Sequence, residues 1–279
     1  MNYDRTKPLT KRNVIDFLRS LNIEVKTNTK ARGNNGLYQR NRIDIARGLN
    51  DEQAINVLVH EFAHHIHYKL EKDMPKTGGS LETLFDISNT KEILSELKNV
   101  TNLIDKNSRL SIFLNAKEEV SKQIKGMQSA IKRDYPNFQR SKKFPEFEKY
   151  IKGSDAKYLV KYDAIRIVQG FFFKKQRVLS VKNLDIDFPE MPKAFQLYIR
   201  LCSMQRKQSK ITRRINKLNK YYEKPTELFA RFVQGYFSNP ETISTIAPIT
   251  IKRFNELLHN GYYKELKDFF DIFAKNNIV

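Results

Sequence analysis

Four of the chain's five histidines fall in one run, Val59-His60-Glu61-Phe62-Ala63-His64-His65-Ile66-His67. His60, Glu61 and His64 form an HExxH pattern whose chemistry depends on helical spacing. Residues four apart lie one turn above each other on one helix face, so both imidazoles can reach a single zinc ion at about 2.0 to 2.1 Å. Glu61 is turned about 100° from His60 and does not ligate. It stands beside the open coordination position, where it can take a proton from water that the metal makes acidic. His65 points away from the ligand face and reads as a surface or core residue. His67 is seven residues from His60, about 10 Å along the axis, too far for all three to close a tetrahedron.

A third ligand must come from elsewhere, and the best candidate is Glu227 in Pro225-Thr226-Glu227-Leu228-Phe229-Ala230-Arg231-Phe232. Pro225 and Thr226 mark a helix start, so Glu227 falls in the first turn. The helix macrodipole favours an acid there without any metal, and from spacing alone both explanations stand. Glu223 is separated from Glu227 by Pro225 and is not expected to share the site. Tyr221, Tyr222, Arg231 and Tyr236 are close in sequence, but none is singled out to stabilise an oxyanion.

These residues need elements to carry them. Asp51 opens an apolar-periodic run through Ile55, Leu58, Val59, Phe62, Ala63, Ile66 and Leu70, which predicts a helix ending near Lys72. Before it, Thr10 caps a short helix from about Lys11 to Leu21. Ile23 to Thr27 and Leu37 to Ala46 alternate apolar and polar around the turn-forming Arg32-Gly33-Asn34-Asn35-Gly36, which predicts a hairpin. Pro75, Gly78, Gly79 and Ser80 form the clearest break, and a long helical region runs on to about Tyr135. Pro136, Pro145 and Gly153 punctuate the middle. Tyr158 to Val181 has no clear period, and its Gly170-Phe171-Phe172-Phe173 run suits a buried strand or a buried helix equally. Pro192 to Tyr222 predicts a long helix, followed by helices from about Thr226 to Phe237, Lys252 to His259 and Tyr263 to Lys275.

Composition narrows the setting. With 279 residues the chain can bury a sizeable core, and its one cysteine, Cys202, excludes an internal disulfide framework. The N-terminus lacks a secretory pattern and no stretch is apolar enough to span a membrane, so a cytoplasmic setting is expected. The formal charge of +20 makes nucleic acid a candidate partner, against the plainer explanation of solvated lysines. Between Glu190 and Glu223 no acidic residue interrupts the basic ones, and Arg206, Lys207, Arg213 and Arg214 are the expected contacts.

The predicted hairpin, His60-Glu61-x-x-His64 and the later Pro225-Thr226-Glu227-Leu228-Phe229-Ala230-Arg231-Phe232 together resemble the zincin-type metallopeptidase domains of phages and mobile elements. These include the ImmA/IrrE type, the C-terminal domain of ArdC-type antirestriction proteins and the large polyvalent proteins of phages. The metzincin pattern, with a glycine and a third histidine downstream, is absent. The resemblance implies that Glu227 is the third zinc ligand and that an unidentified protein substrate is hydrolysed with Glu61 as general base. It covers roughly residues 23–72 and 221–237.

The expected fold is α+β and mostly helical: one zincin-like domain with a small N-terminal sheet, its core in residues 1–75 and 190–279, and a helical insertion at about 80–190. A strand edge near Ile43 to Ala46 would align an extended substrate. Two alternatives stay open: a basic nucleic-acid-binding protein with a secondary or vestigial zincin site, and a scaffold whose zinc is structural.

Overall fold

A computed structural model of the protein describes residues 8–31, 34–169 and 175–273. Along the chain come α1 (Lys11–Ser20), β1 (Glu24–Thr29), β2 (Gly36–Gln39), β3 (Arg42–Ala46), α2 (Asp51–Leu70), the short α3 (Met74–Thr77) and α4 (Leu81–Phe85), and α5 (Lys91–Thr101). A π-helical turn (Asn102–Lys106) leads into α6 (Asn107–Asp134), then α7 (Pro145–Ile151), a 3-10 helix (Asp155–Val160), β4 (Ala164–Gln169) and β5 (Lys175–Ser180). A second 3-10 turn (Val181–Asn183), α8 (Leu184–Asp187) and α9 (Lys193–Tyr222) follow, and the chain continues with α10 (Pro225–Ser238), α11 (Pro240–Ile246), α12 (Pro248–His259) and α13 (Lys264–Phe273). The described residues are thus α+β and mostly helical, with one three-stranded and one two-stranded sheet. None of their helices is long and apolar enough to cross a membrane.

The chain divides into two compact units, Met1–Ser108 with Asn219–Val279, and Arg109–Leu218. These boundaries differ from the expected insertion at about 80–190. Leu81, Leu84, Phe85, Ile93, Leu97 and Val100 are buried in the same core as Phe229, Phe232 and Phe254, so the chain through α5 belongs to the first unit. Most of α9 belongs to the second.

In the first unit, β3 lies between β1 and β2, parallel to β1 and antiparallel to β2. This corrects the expected hairpin between Ile23–Thr27 and Leu37–Ala46. The second of those segments is itself the hairpin, reversing at Arg40 and Asn41, with Arg40 at φ 54°. Of the turn-forming run expected to join them, Arg32 and Gly33 lie outside the described residues. Parallel pairing sets Val25 beside Ile43, and both are buried with Ile45 against α1 and α2. An antiparallel partner could serve alternation equally well, so sequence pattern alone did not separate the two. One functional consequence follows: β3, carrying Ile43 to Ala46, is the central strand and cannot align a substrate, and the edge near α2 is β2.

Helix α2 starts at a reciprocal cap in which Asn50 accepts from the Gln53 N–H and the Gln53 side chain accepts from the Asn50 N–H. It is buried on almost every side, because α1, the sheet, α10 and α13 surround it. Helix α10 begins with Pro225 in its first turn and lays Leu228, Phe229, Phe232 and Val233 into the shared core. Around it Phe229, Phe232, Tyr236 and Phe254 pack mostly edge-to-face, the Phe232 and Phe254 centroids 5.1 Å apart. Helix α12 starts four residues before the expected Lys252, since Pro248 is accommodated in its first turn.

The second unit has a core of its own, in which Val120, Ile124 and Ile131 of α6 pack with Phe138, Phe144, Phe147, Phe195 and Ile199. The stretch without a clear period, Tyr158 to Val181, contains part of a 3-10 helix and the antiparallel pair β4 and β5. The Gly170-Phe171-Phe172-Phe173 run lies outside the described residues, as does the end of the last helix expected to reach Lys275.

Candidate metal centre

Helix α2 presents His60 and His64 on one face, and the first turn of α10 brings Glu227 against them. His60 Nε2 is 3.6 Å from Glu227 Oε2, and His64 Nε2 is 3.6 Å from Glu227 Oε1. One ligand atom from each of the three residues lies within 4.8 Å of the others, and the group could hold a metal ion. A distance of 3.6 Å is too long for a hydrogen bond. It is close to the roughly 3.4 Å between ligand atoms of a tetrahedral ion with bonds of about 2.0 to 2.1 Å. Glu227 Oε2 is buried with no hydrogen-bond partner, a costly state for a carboxylate that a cation relieves. The donor set therefore fits a metal ion.

Electrostatics agree. Burial holds the His64 imidazole down at about 4, despite the opposing pull of the Glu227 carboxylate, and His60 is lowered by burial and then by Arg231. Both rings are therefore neutral near pH 7, the form that can ligate. Burial also works against ionised Glu227, but His64, His60 and Tyr221 outweigh it and bring its carboxyl down to about 2. Glu61 moves the other way, up to about 8, through burial and then the nearby Glu227 charge.

Neighbouring groups hold these side chains in place. The Thr226 hydroxyl contacts His64 Nδ1 at 2.8 Å, which leaves Nε2 directed at Glu227. Backbone N–H of Thr226 donates to the Gly78 carbonyl, anchoring the start of α10 to the glycine loop after α3. Glu61 lies against β2: a Cβ built on Gly36 would sit 2.6 Å from its Oε1 and 2.5 Å from Val57 Cγ1. The main-chain N–H of Tyr38 also faces the Glu61 carboxylate and favours its charged form. Only a glycine allows the strand this close. The Tyr221 phenol faces Glu227, and burial followed by that negative charge raises its pKa far above the ordinary value. Arg231, which disfavours the charged forms of His60 and His64, is 3.0 Å from Asp105 of the π-helical turn, and Asp105 also accepts from the Tyr222 hydroxyl.

The other two histidines of the run are core residues. His65 joins three elements, with Nδ1 3.1 Å from the Tyr38 hydroxyl and Nε2 3.5 Å from Glu265 of α13. His67 is fully buried, its Nε2 3.4 Å from Glu71, which in turn accepts from the Ser80 N–H and the Thr77 hydroxyl. Gly79 approaches the His67 ring so closely that a side chain could not be added there.

The structure brings together His60, Glu61, His64 and Glu227, leaves Glu223 exposed, and turns Tyr236 away to hydrogen-bond with Asn255. Sequence reasoning missed Gly36, Thr226, Tyr221 and Asp105 as partners of the site. For Thr226 a signal existed in its place next to Glu227. Of the expected nucleic-acid contacts, Lys207, Arg213 and Arg214 are exposed, whereas Arg206 is tied to Asp163 and the Val160 carbonyl and serves to fix α9 to the loop before β4.

Fold and site together define a mostly helical α+β protein with a buried group suited to a metal ion. No family model, curated protein or solved structure matches the chain.

Proposed function

We propose that the protein is a zinc-dependent metallopeptidase of the zincin type, acting on a protein or peptide substrate. The observation that carries this reading is the meeting of His60, His64 and Glu227, from helices far apart in sequence, with Glu61 outside that group and against Gly36 of β2. Two neutral imidazoles and a carboxylate suit zinc, and three protein ligands leave a position open, as catalytic rather than structural sites do. Zinc bound there acts as a Lewis acid that polarises a carbonyl and makes water nucleophilic near neutral pH.

The chain's own residues supply the rest. A cation balancing the Glu227 charge would favour ionised Glu61, which accepts a proton from the attacking water and delivers it to the departing amine nitrogen. Thr226 fixes the His64 ring, and Tyr221 helps hold Glu227 ionised. Strand β2 passes beside Glu61 and is paired on one side only among the described residues. Its outer edge, at Gly36 to Tyr38, suits main-chain pairing with an extended peptide. A peptide is favoured over a small ester or amide for that reason. The link to phages and mobile elements rests on the resemblance of the two motifs.

The test pairs metal analysis with activity. Zinc should co-purify near one equivalent per chain, and Glu61→Gln should retain it while losing cleavage of a fluorogenic peptide library, because an amide cannot take the proton. Full peptidase activity in Glu61→Gln would sink the mechanism.

A further inference from the structure

Charge is shared unequally between the two units. The second, Arg109–Leu218, holds 26 of the 51 Lys and Arg and 10 of the 31 Asp and Glu, which amounts to +16 of the formal +20. The first unit, although larger, carries +4. A lysine-rich composition inherited by the whole chain would have charged both alike, so the excess belongs to one folded body.

Within that body several of the acids are held in ion pairs. Asp163 pairs with Arg206, Asp185 with Arg200, Asp187 with Arg177 and Glu118 with Lys122. Lys207, Arg213, Arg214 and Lys217 of α9 are exposed and have no ion pair among the described residues. At 100° per residue these four fall within about 120° of helix circumference and extend about 15 Å along the axis. Lys210 lies between them, within reach of Asp163. A second basic group surrounds a concavity at the end of α6, where Lys125, Lys132 and Arg140 stand with Ser129 and Ser141 and no acid is among its lining.

We propose that the second unit binds nucleic acid through the sugar–phosphate backbone, with the exposed stripe Lys207, Arg213, Arg214 and Lys217 as its principal contact. Cations repeated along a helix match phosphates repeated along a strand, and hydroxyls beside further cations suit the same oxygens. An anionic membrane would need apolar anchors on the same face. The stripe offers none, because Ile211 and Ile215 are each 8% exposed and turned into the core. Binding of this kind attracts without reading bases.

The test uses the full chain, fluorescein-labelled oligonucleotides as a single strand, as a duplex and as RNA, and vesicles of phosphatidylserine with phosphatidylcholine. Four phosphate contacts predict an affinity for single strands that falls about fifty-fold between about 50 and 200 mM salt, with little change when the base sequence is altered. The quadruple variant Lys207→Glu, Arg213→Glu, Arg214→Glu, Lys217→Glu should lose at least about tenfold in affinity and most of that salt slope, with zinc content and melting temperature unchanged. No binding to any oligonucleotide at about 50 mM salt, binding to vesicles alone, or a variant that binds as tightly as the parent would each overturn the proposal. Comparison of the three oligonucleotides separates single-stranded from duplex and DNA from RNA ligands.

Discussion

Removing Glu227 tests the metal site without knowledge of a substrate. A ligand that binds only the folded chain stabilises it by RT ln(1 + [L]/Kd), about 2.7 kcal/mol when free zinc stands 100-fold above Kd. For a protein of this size each kcal/mol moves the melting temperature by about 2 to 4 °C, so zinc should raise it by about 5 to 11 °C. Each histidine faces a different oxygen of Glu227, at 3.6 Å in both cases, so Glu227→Ala leaves two nitrogens with no anionic donor. Loss of an outer-shell partner alone can cost up to about 100-fold in metal affinity, and loss of a direct ligand should cost at least as much. At the same free zinc the variant then gains only about 0.4 kcal/mol, a shift of about 1 to 2 °C. Differential scanning calorimetry at fixed free zinc, beside metal analysis, measures both. The exposed Glu223 provides the control, and Glu223→Ala should keep the parent's shift. If Glu227→Ala retains one equivalent of zinc and the full shift, the ligand set inferred here is wrong.

Gly36→Ala should keep the metal and lose about 100-fold in peptidase turnover, because the new methyl group would force Glu61 or β2 to move by the better part of an ångström. Zinc analysis and kinetics on one preparation check this, and unchanged turnover would refute the placement of Glu61 against the strand. In chelator-treated protein, acid should destabilise the fold through His67, which burial holds below its ordinary pKa. The unfolded chain takes up the proton at about pH 6.5 and the folded one only at lower pH, so stability is full above about 6.5 and falls below it by up to about 1.4 kcal/mol per pH unit for this group. Urea melts from pH 7 to 5 should show a slope that His67→Gln reduces by about one proton; an unaltered slope would mean that His67 is not buried in its neutral form.

Local signals were readable and distant ones were not. The Thr10 cap of α1, the apolar face of α2 and the proline start of α10 depend on neighbours in the chain, and each sits at or within a residue or two of where its pattern puts it. His60 and His64 were legible as a pair because spacing on a helix is a local property, whereas the helix start at Glu227 fitted the macrodipole as well as a metal, and only the resemblance joined it to them. The parallel pairing of β1 with β3 was not, since alternation is the same for either direction of the partner. Nor was the π-helical turn that delivers Asp105 to Arg231 and Tyr222, because a slip of backbone register has no residue-type signature as strong as a proline or glycine. Gly36 reads as turn chemistry in the sequence. Its role emerges only once α2 is known to lie behind β2. Arg206 was assigned to a partner for a similar reason: Asp163, which neutralises it, is invisible until α9 and the loop before β4 meet.

The first unit is assembled from two stretches of chain, with the second unit encoded between them. During synthesis the ribosome therefore releases all of Arg109–Leu218 before it has made α10, α11, α12 or α13. Domains fold as units while the chain emerges, so the basic unit can be complete while the first still lacks Phe229, Phe232, Phe254 and Phe269 of its core. A nascent or truncated chain that stops short of Glu227 carries His60, Glu61 and His64 but lacks the carboxylate that meets the two histidines. The order of residues along the chain thus delays the meeting of His60, His64 and Glu227 until the basic unit has been made.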